Sequence, residues 1–301
     1  MKASLETNFA GVVFKNPIVL ASGTCGFGQE LREWFNPGRL GGLCSKGLTL
    51  NARSGNGGIR VWETASGMMN SVGLENPGVR CFIERELILM KALGTAVIVN
   101  LAGHSIDDYL EAVELLNAAS FDLLELNISC PNLKAGGAIF GADADRAGEV
   151  VRKVRAVCKH KLVVKLSPAA NDIVGVARTC QDEGADALSL VNTFPAMAID
   201  TEKRSAVFDN IYAGLSGPAI KPIALRMVHQ VAKAVSIPVM GIGGITTAQD
   251  AIEFIMAGAH LVQVGSANFI NPLISLEILE GLQTWLDSKG LASVGEIRGV
   301  V

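Results

Sequence analysis

Short apolar runs, rich in β-branched residues, alternate along this chain with longer segments whose apolar positions recur every three to four residues. The short runs fit buried strands and the longer ones amphipathic helices. Their alternation predicts a parallel sheet with crossover helices. The predicted strands cover residues 18–22, 43–48, 96–100, 123–128, 162–166, 187–191, 239–242 and 261–265. Helical spacing is clearest over residues 106–119, 146–158, 172–183, 222–234 and 247–257, and residues 5–14 predict a hairpin ahead of the first strand. Eight strand-helix pairs predict a closed (β/α)8 TIM barrel. The competitor is an open doubly wound sheet, but no Gly-x-Gly-x-x-Gly follows an early strand.

Two stretches interrupt this rhythm. Residues 51–78, rich in glycine and asparagine, separate the second strand from its helix, and residues 195–218 separate the sixth from its own. Both leave the C-terminal ends of strands, where barrels build their sites, and long structureless loops there predict lids or binding loops.

At 301 residues the chain has the length of one barrel with insertions, so a single domain over residues 1–301 is expected. With 49% hydrophobic and 18% charged residues a large core is available and disorder is not expected. No apolar run reaches the ~18 residues of a membrane span and no signal-peptide core is present, which together predict a soluble cytoplasmic protein. The 26 basic and 29 acidic residues leave a net charge of −3 with no basic stripe, which argues against nucleic acid as a partner. None of the six cysteines lies in a Cys-x-x-Cys pair, so neither an iron–sulfur cluster nor a zinc site is expected.

Polar residues close strand after strand: Ser22, Lys46, Asn100, Asn127, Lys165 and Asn192. Any one could be a solvated terminus; six together predict a mouth built for a polar ligand. Alternation places Lys165 on the inward face with Val163. An inward lysine needs an anion, either a ligand or an internal carboxylate such as Glu125. Glycine-rich turns follow strand seven (Gly241, Gly243, Gly244) and strand eight (Gly265, then Ser266), where barrels commonly bind phosphate through backbone N–H groups at the next helix start. Thr246 or Thr247 can cap that helix. After strand four, Pro131 ends the ladder and delivers Cys130 into a loop among Asn127, Ser129 and Asn132. By type alone Cys130 is a small loop-filling residue; a flat polar substrate gives the thiol another use. A phosphate on one side of the mouth, with amides, a thiol and lysines on the other, fits flavin mononucleotide plus a small planar substrate. Asp, Glu and His, which sugar isomerases and aldolases use for proton transfer, are scarce at these strand ends.

The sequence Asn127-Ile-Ser-Cys-Pro-Asn132, together with Asn70-Ser71-Val72-Gly73-Leu74, Lys165-Leu-Ser-Pro168 and Asn192-Thr193, resembles the dihydroorotate dehydrogenases that use a cysteine base. The likeness runs from about residue 5 to the C-terminus. It implies FMN-dependent oxidation of dihydroorotate to orotate, with a hydride leaving C6 for the flavin and a proton leaving C5 for Cys130. The resemblance assigns flavin contacts to Ser22, Ser45, Lys46, Asn100, Asn127 and Lys165. Further flavin contacts fall on Val191, Gly217, Gly243, Gly244, Gly265 and Ser266. Pyrimidine contacts are implied for Lys46, Asn70, Ser71, Val72, Gly73 and Leu74, and also for Asn127, Asn132, Asn192 and Thr193. The serine-using sister class, with its membrane-associated N-terminal extension, is set aside on Cys130 and the short N-terminus.

Asn192-Thr193, Met197-Ala-Ile-Asp200 and the segment 214–222 resemble the NAD-linked, two-subunit class more than the fumarate-linked one. That class implies a partner subunit carrying FAD and a [2Fe–2S] cluster and a heterotetramer built on a homodimer of this barrel. One departure from its pattern is Phe194-Pro195-Ala196, which affects local loop shape. Rival readings are the pyrimidine-reducing domain of dihydropyrimidine dehydrogenase, a tRNA dihydrouridine synthase, which would need a basic face, and a non-catalytic phosphate-binding barrel.

Overall fold

The computed structural model describes residues 2–129, 131–132 and 138–301; Cys130 and the side chain of Asn132 lie outside that description. Eight parallel strands close into a barrel in sequential order: β1 Ile18–Leu20, β2 Gly42–Cys44, β3 Ala96–Ala102, β4 Leu123–Asn127, β5 Leu162–Lys165, β6 Ala187–Leu190, β7 Val239–Ile242 and β8 Leu261–Val264. A strand covered by helices outside and side chains inside must be apolar on both faces, and β4 to β8 are buried at every position.

Helices Ile106–Leu116, Ala144–Val157, Ile173–Asp182, Lys221–Ala232 and Ala248–Met256 occupy the predicted places, each within three residues of its expected ends. Four begin at a side-chain cap on Ser105, Asp143, Asp172 or Thr247. The first strand-helix pair differs from expectation: β1 is followed by 3-10 turns at Glu30–Glu33 and Pro37–Arg39. Among the described residues no helix is long and apolar enough to cross a membrane.

The N-terminal end of the barrel is plugged. Thr7–Phe9 pairs with Val12–Phe14 across a turn in which Ala10 and Gly11 both have positive φ, the twist a two-residue hairpin prefers. Its two rings, Phe9 and Phe14, are fully buried at 6.2 Å edge to face and pack on Val19, Ile98, Leu123, Val163 and Met240 inside the barrel.

Strand β2 ends earlier than its apolar run predicts. Ser45 N–H donates to Ile98 O and Leu48 N–H to Asn100 O, so three steps of one chain span two of its neighbour. The extra residue makes a bulge, which turns Lys46 out of the ladder.

The two insertions are not structureless loops. Phe194–Met197, Tyr212–Ser216, Gly67–Asn70 and Val61–Thr64 form one four-stranded antiparallel sheet, in that order. Gly214 stands opposite Asn70 and Ser216 opposite Met68 in the register, so the two insertions are joined by a strand from each.

Candidate active site

A cavity of about 740 Å³ opens at the C-terminal ends of the strands, within the usual range of ~300–1,000 Å³ for a ligand pocket. Barrel-strand ends and their loops supply its floor and walls, and Val61, Met68, Tyr212 and Gly214 of the antiparallel sheet line it too.

Its floor rests on a polar layer inside the barrel. Glu125 is fully buried and points inward from β4. Its carboxylate accepts from Asn100 Nδ2 at 2.6 Å, Ser189 Oγ at 2.7 Å, Gln263 Nε2 at 2.9 Å and Cys44 Sγ at 3.3 Å, and Lys165 Nζ stands 3.8 Å away. Burial pushes the Glu125 pKa up; the Lys165 charge and the bonds from Ser189, Asn100 and Cys44 outweigh it and hold the group below the usual carboxylate value. Burial and the Glu125 charge keep the Cys44 thiol protonated, well above its ordinary pKa. Lys165, at 5% exposure, meets both expectations at once, since it has an internal carboxylate and also lines the cavity.

An amide cluster forms one wall. Asn127 Oδ1 accepts from Ser129 Oγ at 2.6 Å, Ser129 N at 3.2 Å and Asn192 Nδ2 at 3.4 Å, while Asn192 Nδ2 also donates to Ser129 Oγ. Tyr109 Oη holds the Asn127 carbonyl from below at 2.7 Å. Asn192 Oδ1 accepts from Thr193 N at 2.8 Å, and the cis peptide between Leu190 and Val191 leads into this turn. Facing them, Asn70 Nδ2 reaches Gly214 O at 3.3 Å, and Asn56 pins the 71–73 loop through Ser71 O, Ser71 Oγ and Val72 O.

The glycine turns form the other wall. Gly244, at φ +70°, lies against Gly217 O, where a Cβ would come within 2.7 Å. Gly265 is different: a Cβ there would meet nothing in the protein closer than 3.6 Å, so the missing side chain leaves room on the cavity side. The helix after β7 does not offer its start to a ligand as predicted. Thr247 caps it, and the Asp250 carboxylate already accepts from Thr246 N and Thr247 N, both at 2.9 Å. The open backbone is that of the turns themselves, Gly243 to Ile245 and Gly265 to Ser266.

Of the residues predicted for the site, Ser22, Lys46, Asn70, Ser71, Val72, Gly73, Leu74, Asn100 and Asn127 all line the cavity. So do Lys165, Val191, Asn192, Thr193, Gly217, Gly243, Gly244, Gly265 and Ser266. Ser45 does not: the bulge buries it, and its hydroxyl accepts from Asn100 N at 3.0 Å. Cys130 and the Asn132 side chain lie outside the described residues. Ser129, read from the sequence as one of the polar groups around Cys130 but given no ligand contact, also lines the cavity. Sequence reasoning missed Arg53, which contacts His104 at the mouth. Among the described residues no three His, Cys, Asp or Glu side chains gather as a metal site.

Residues 4–286 match the family model for dihydroorotate dehydrogenase. The chain is 57% identical to a Petrotoga mobilis protein named as the catalytic subunit of dihydroorotate dehydrogenase B (NAD(+)), over 98% of this chain and 99% of that one. Proteins of the same name from Alkaliphilus metalliredigens and Bacteroides thetaiotaomicron are 49% and 47% identical, each over 99% of both chains. A match over almost the whole barrel, including both insertions and every strand end that builds the cavity, means that this chain belongs to the dihydroorotate dehydrogenase family.

Proposed function

We propose that this chain is the catalytic subunit of an NAD-linked dihydroorotate dehydrogenase, which oxidises dihydroorotate to orotate for pyrimidine biosynthesis with one FMN bound in the cavity. The observation that carries the reading is the cavity's division into a glycine wall without side chains, a cationic floor and an amide wall. The residues present fit FMN. Asn100 Oδ1 is a buried acceptor with no hydrogen-bond partner among the described residues, which suits a ring N–H, and the space left at Gly265 suits a phosphate held by backbone. FMN, when bound, supplies the acceptor for the hydride that leaves C6 of dihydroorotate.

The chain's own residues do the rest. Lys165 and Lys46 both line the cavity: Lys165 would hold a positive charge beside bound FMN, and Lys46 would offer an ammonium to the substrate carboxylate. The edge of a dihydropyrimidine alternates N–H and C=O, and an amide side chain carries both a donor and an acceptor. Asn70, Asn127, Asn132, Asn192 and Thr193 therefore orient the ring. Cys130 takes the proton from C5 as the hydride leaves C6, so that two electrons and two hydrogens are removed together.

Electrons then pass to NAD through a partner subunit carrying FAD and a [2Fe–2S] cluster, in a cytoplasmic heterotetramer built on a dimer of this barrel. The relatives' shared name, catalytic subunit, supports such a partner. Anaerobic mixing of the purified yellow protein with dihydroorotate tests the reading: the flavin absorbance should bleach. A colourless protein, or equal bleaching by dihydrouracil, would overturn it.

A further inference from the structure

Glu125 sits one layer below the cavity and does not line it, yet it governs two residues that do. It takes the Nδ2 of Asn100 at 2.6 Å, and an ionised carboxylate can only accept, so the Asn100 carbonyl is left facing the ligand. Toward Lys165 its nearest oxygen is 3.8 Å away, a distance of charge attraction without a hydrogen bond. The ammonium is thus balanced from beneath while its N–H donors remain for the cavity.

A lysine at 5% exposure would shed its proton readily without a counter-charge. Every side chain recorded in a hydrogen bond or ion pair with the Glu125 carboxylate among the described residues is a donor: Cys44 from β2, Asn100 from β3, Lys165 from β5, Ser189 from β6 and Gln263 from β8. Among the described residues, the other ionisable side chains that line the cavity are Lys46, Arg53, His104 and Tyr212, and none of them is a carboxylate.

We propose that Glu125 is a positioning residue that never touches the ligand: it holds Lys165 as an ammonium and Asn100 as an acceptor where the ring edge of the cofactor docks. The proposal rests on the flavin reading above, and its test separates the two. FMN dissociation constants and thermal unfolding are measured between pH 6 and 9.5 for the wild type, Glu125→Gln, Glu125→Asp, Lys165→Met and the double variant Glu125→Gln/Lys165→Met.

The wild type should bind FMN with little pH dependence over this range. Glu125→Gln should lose affinity as pH rises, by roughly tenfold, the scale of one charge-assisted hydrogen bond. Its melting temperature relative to wild type should drop as pH falls, because a neutral buried lysine must take up its proton. Glu125→Asp keeps the charge and should restore the flat profile, and the double variant should show neither trend.

A flat profile in Glu125→Gln, or the same pH trend in the double variant, would overturn the proposal. Should Glu125→Gln fail to fold, the double variant decides: it should fold, since both buried charges leave together, and failure would make Glu125 a scaffold residue only. A wild type that holds no FMN would instead overturn the flavin reading, and the pH trend in unfolding would still report on Glu125.

Discussion

Lys46 and Lys165 reach the same cavity by different means, and the difference lies in what surrounds each side chain. Lys165 comes from inside a strand and is matched by Glu125; Lys46 comes from a bulge, its backbone N–H bonded to Gly26 O at 3.1 Å. Alternation along β5 made the first legible, whereas a bulge leaves no mark in the hydrophobic pattern. The strand-end asparagines and the glycine turns were readable because strand ends of a barrel share one mouth. Ser45 was assigned from the resemblance alone, and the bulge that ends β2 buries its side chain. The pairing of Glu125 with Lys165 was legible as one of two alternatives, but its contacts with Cys44, Asn100, Ser189 and Gln263 were not, because they come from four other strands that no local spacing brings together. For Cys130 the expectation is kinetic. An unperturbed thiol has a pKa of ~8.5, so flavin reduction should accelerate as pH rises through that region. Cys130→Ala should retain FMN and orotate binding but lose the reductive step by about a hundredfold or more, the usual worth of a positioned base. Stopped-flow reduction at the wild-type rate in the variant would assign the base elsewhere.

Among the elements, the plug at the base of the barrel carries an acid sensitivity of its own. His260, just before β8, lies 6.5 Å from the Phe9 ring, and burial with the nearby Arg298 charge lowers its pKa from 6.5 to about 4. The folded state therefore keeps the imidazole neutral while the unfolded chain protonates it below about pH 6.5. The contribution is intact above that pH and is lost as pH falls toward 4. Between pH 7.5 and 5 this amounts to about 2 kcal/mol. Urea unfolding at the two pH values should show the loss in the wild type and a smaller one in His260→Asn. Equal losses would place the acid sensitivity in other groups. The hairpin itself was legible from its short apolar runs. The replacement of a helix by 3-10 turns after β1 was not read, although the segment 23–41 carries glycine, asparagine and proline that break a helix into single turns.

For the whole molecule, the barrel was readable from eight repeats, while the sheet that joins the insertions was not. Its strands come from segments whose facing residues, Asn70 and Gly214, are 144 positions apart, and local periodicity says nothing about such partners. The division of labour predicted for the assembly follows from the NAD-linked reading, in which the mouth of the barrel is taken up by FMN and orotate. The isolated chain should oxidise dihydroorotate with a small artificial dye and reduce NAD only once the partner subunit is added. Rapid NAD reduction by the chain alone, or fumarate serving as an efficient acceptor, would show the wrong subclass. The shared sheet also bears on the order of events during refolding. Loop closure over so many residues is costly until the barrel has brought the ends of β2 and β6 within reach, so the roof is expected to form after the walls. Trp62 lies on that sheet, and a chain can have its full complement of barrel strands before it can hold anything between them.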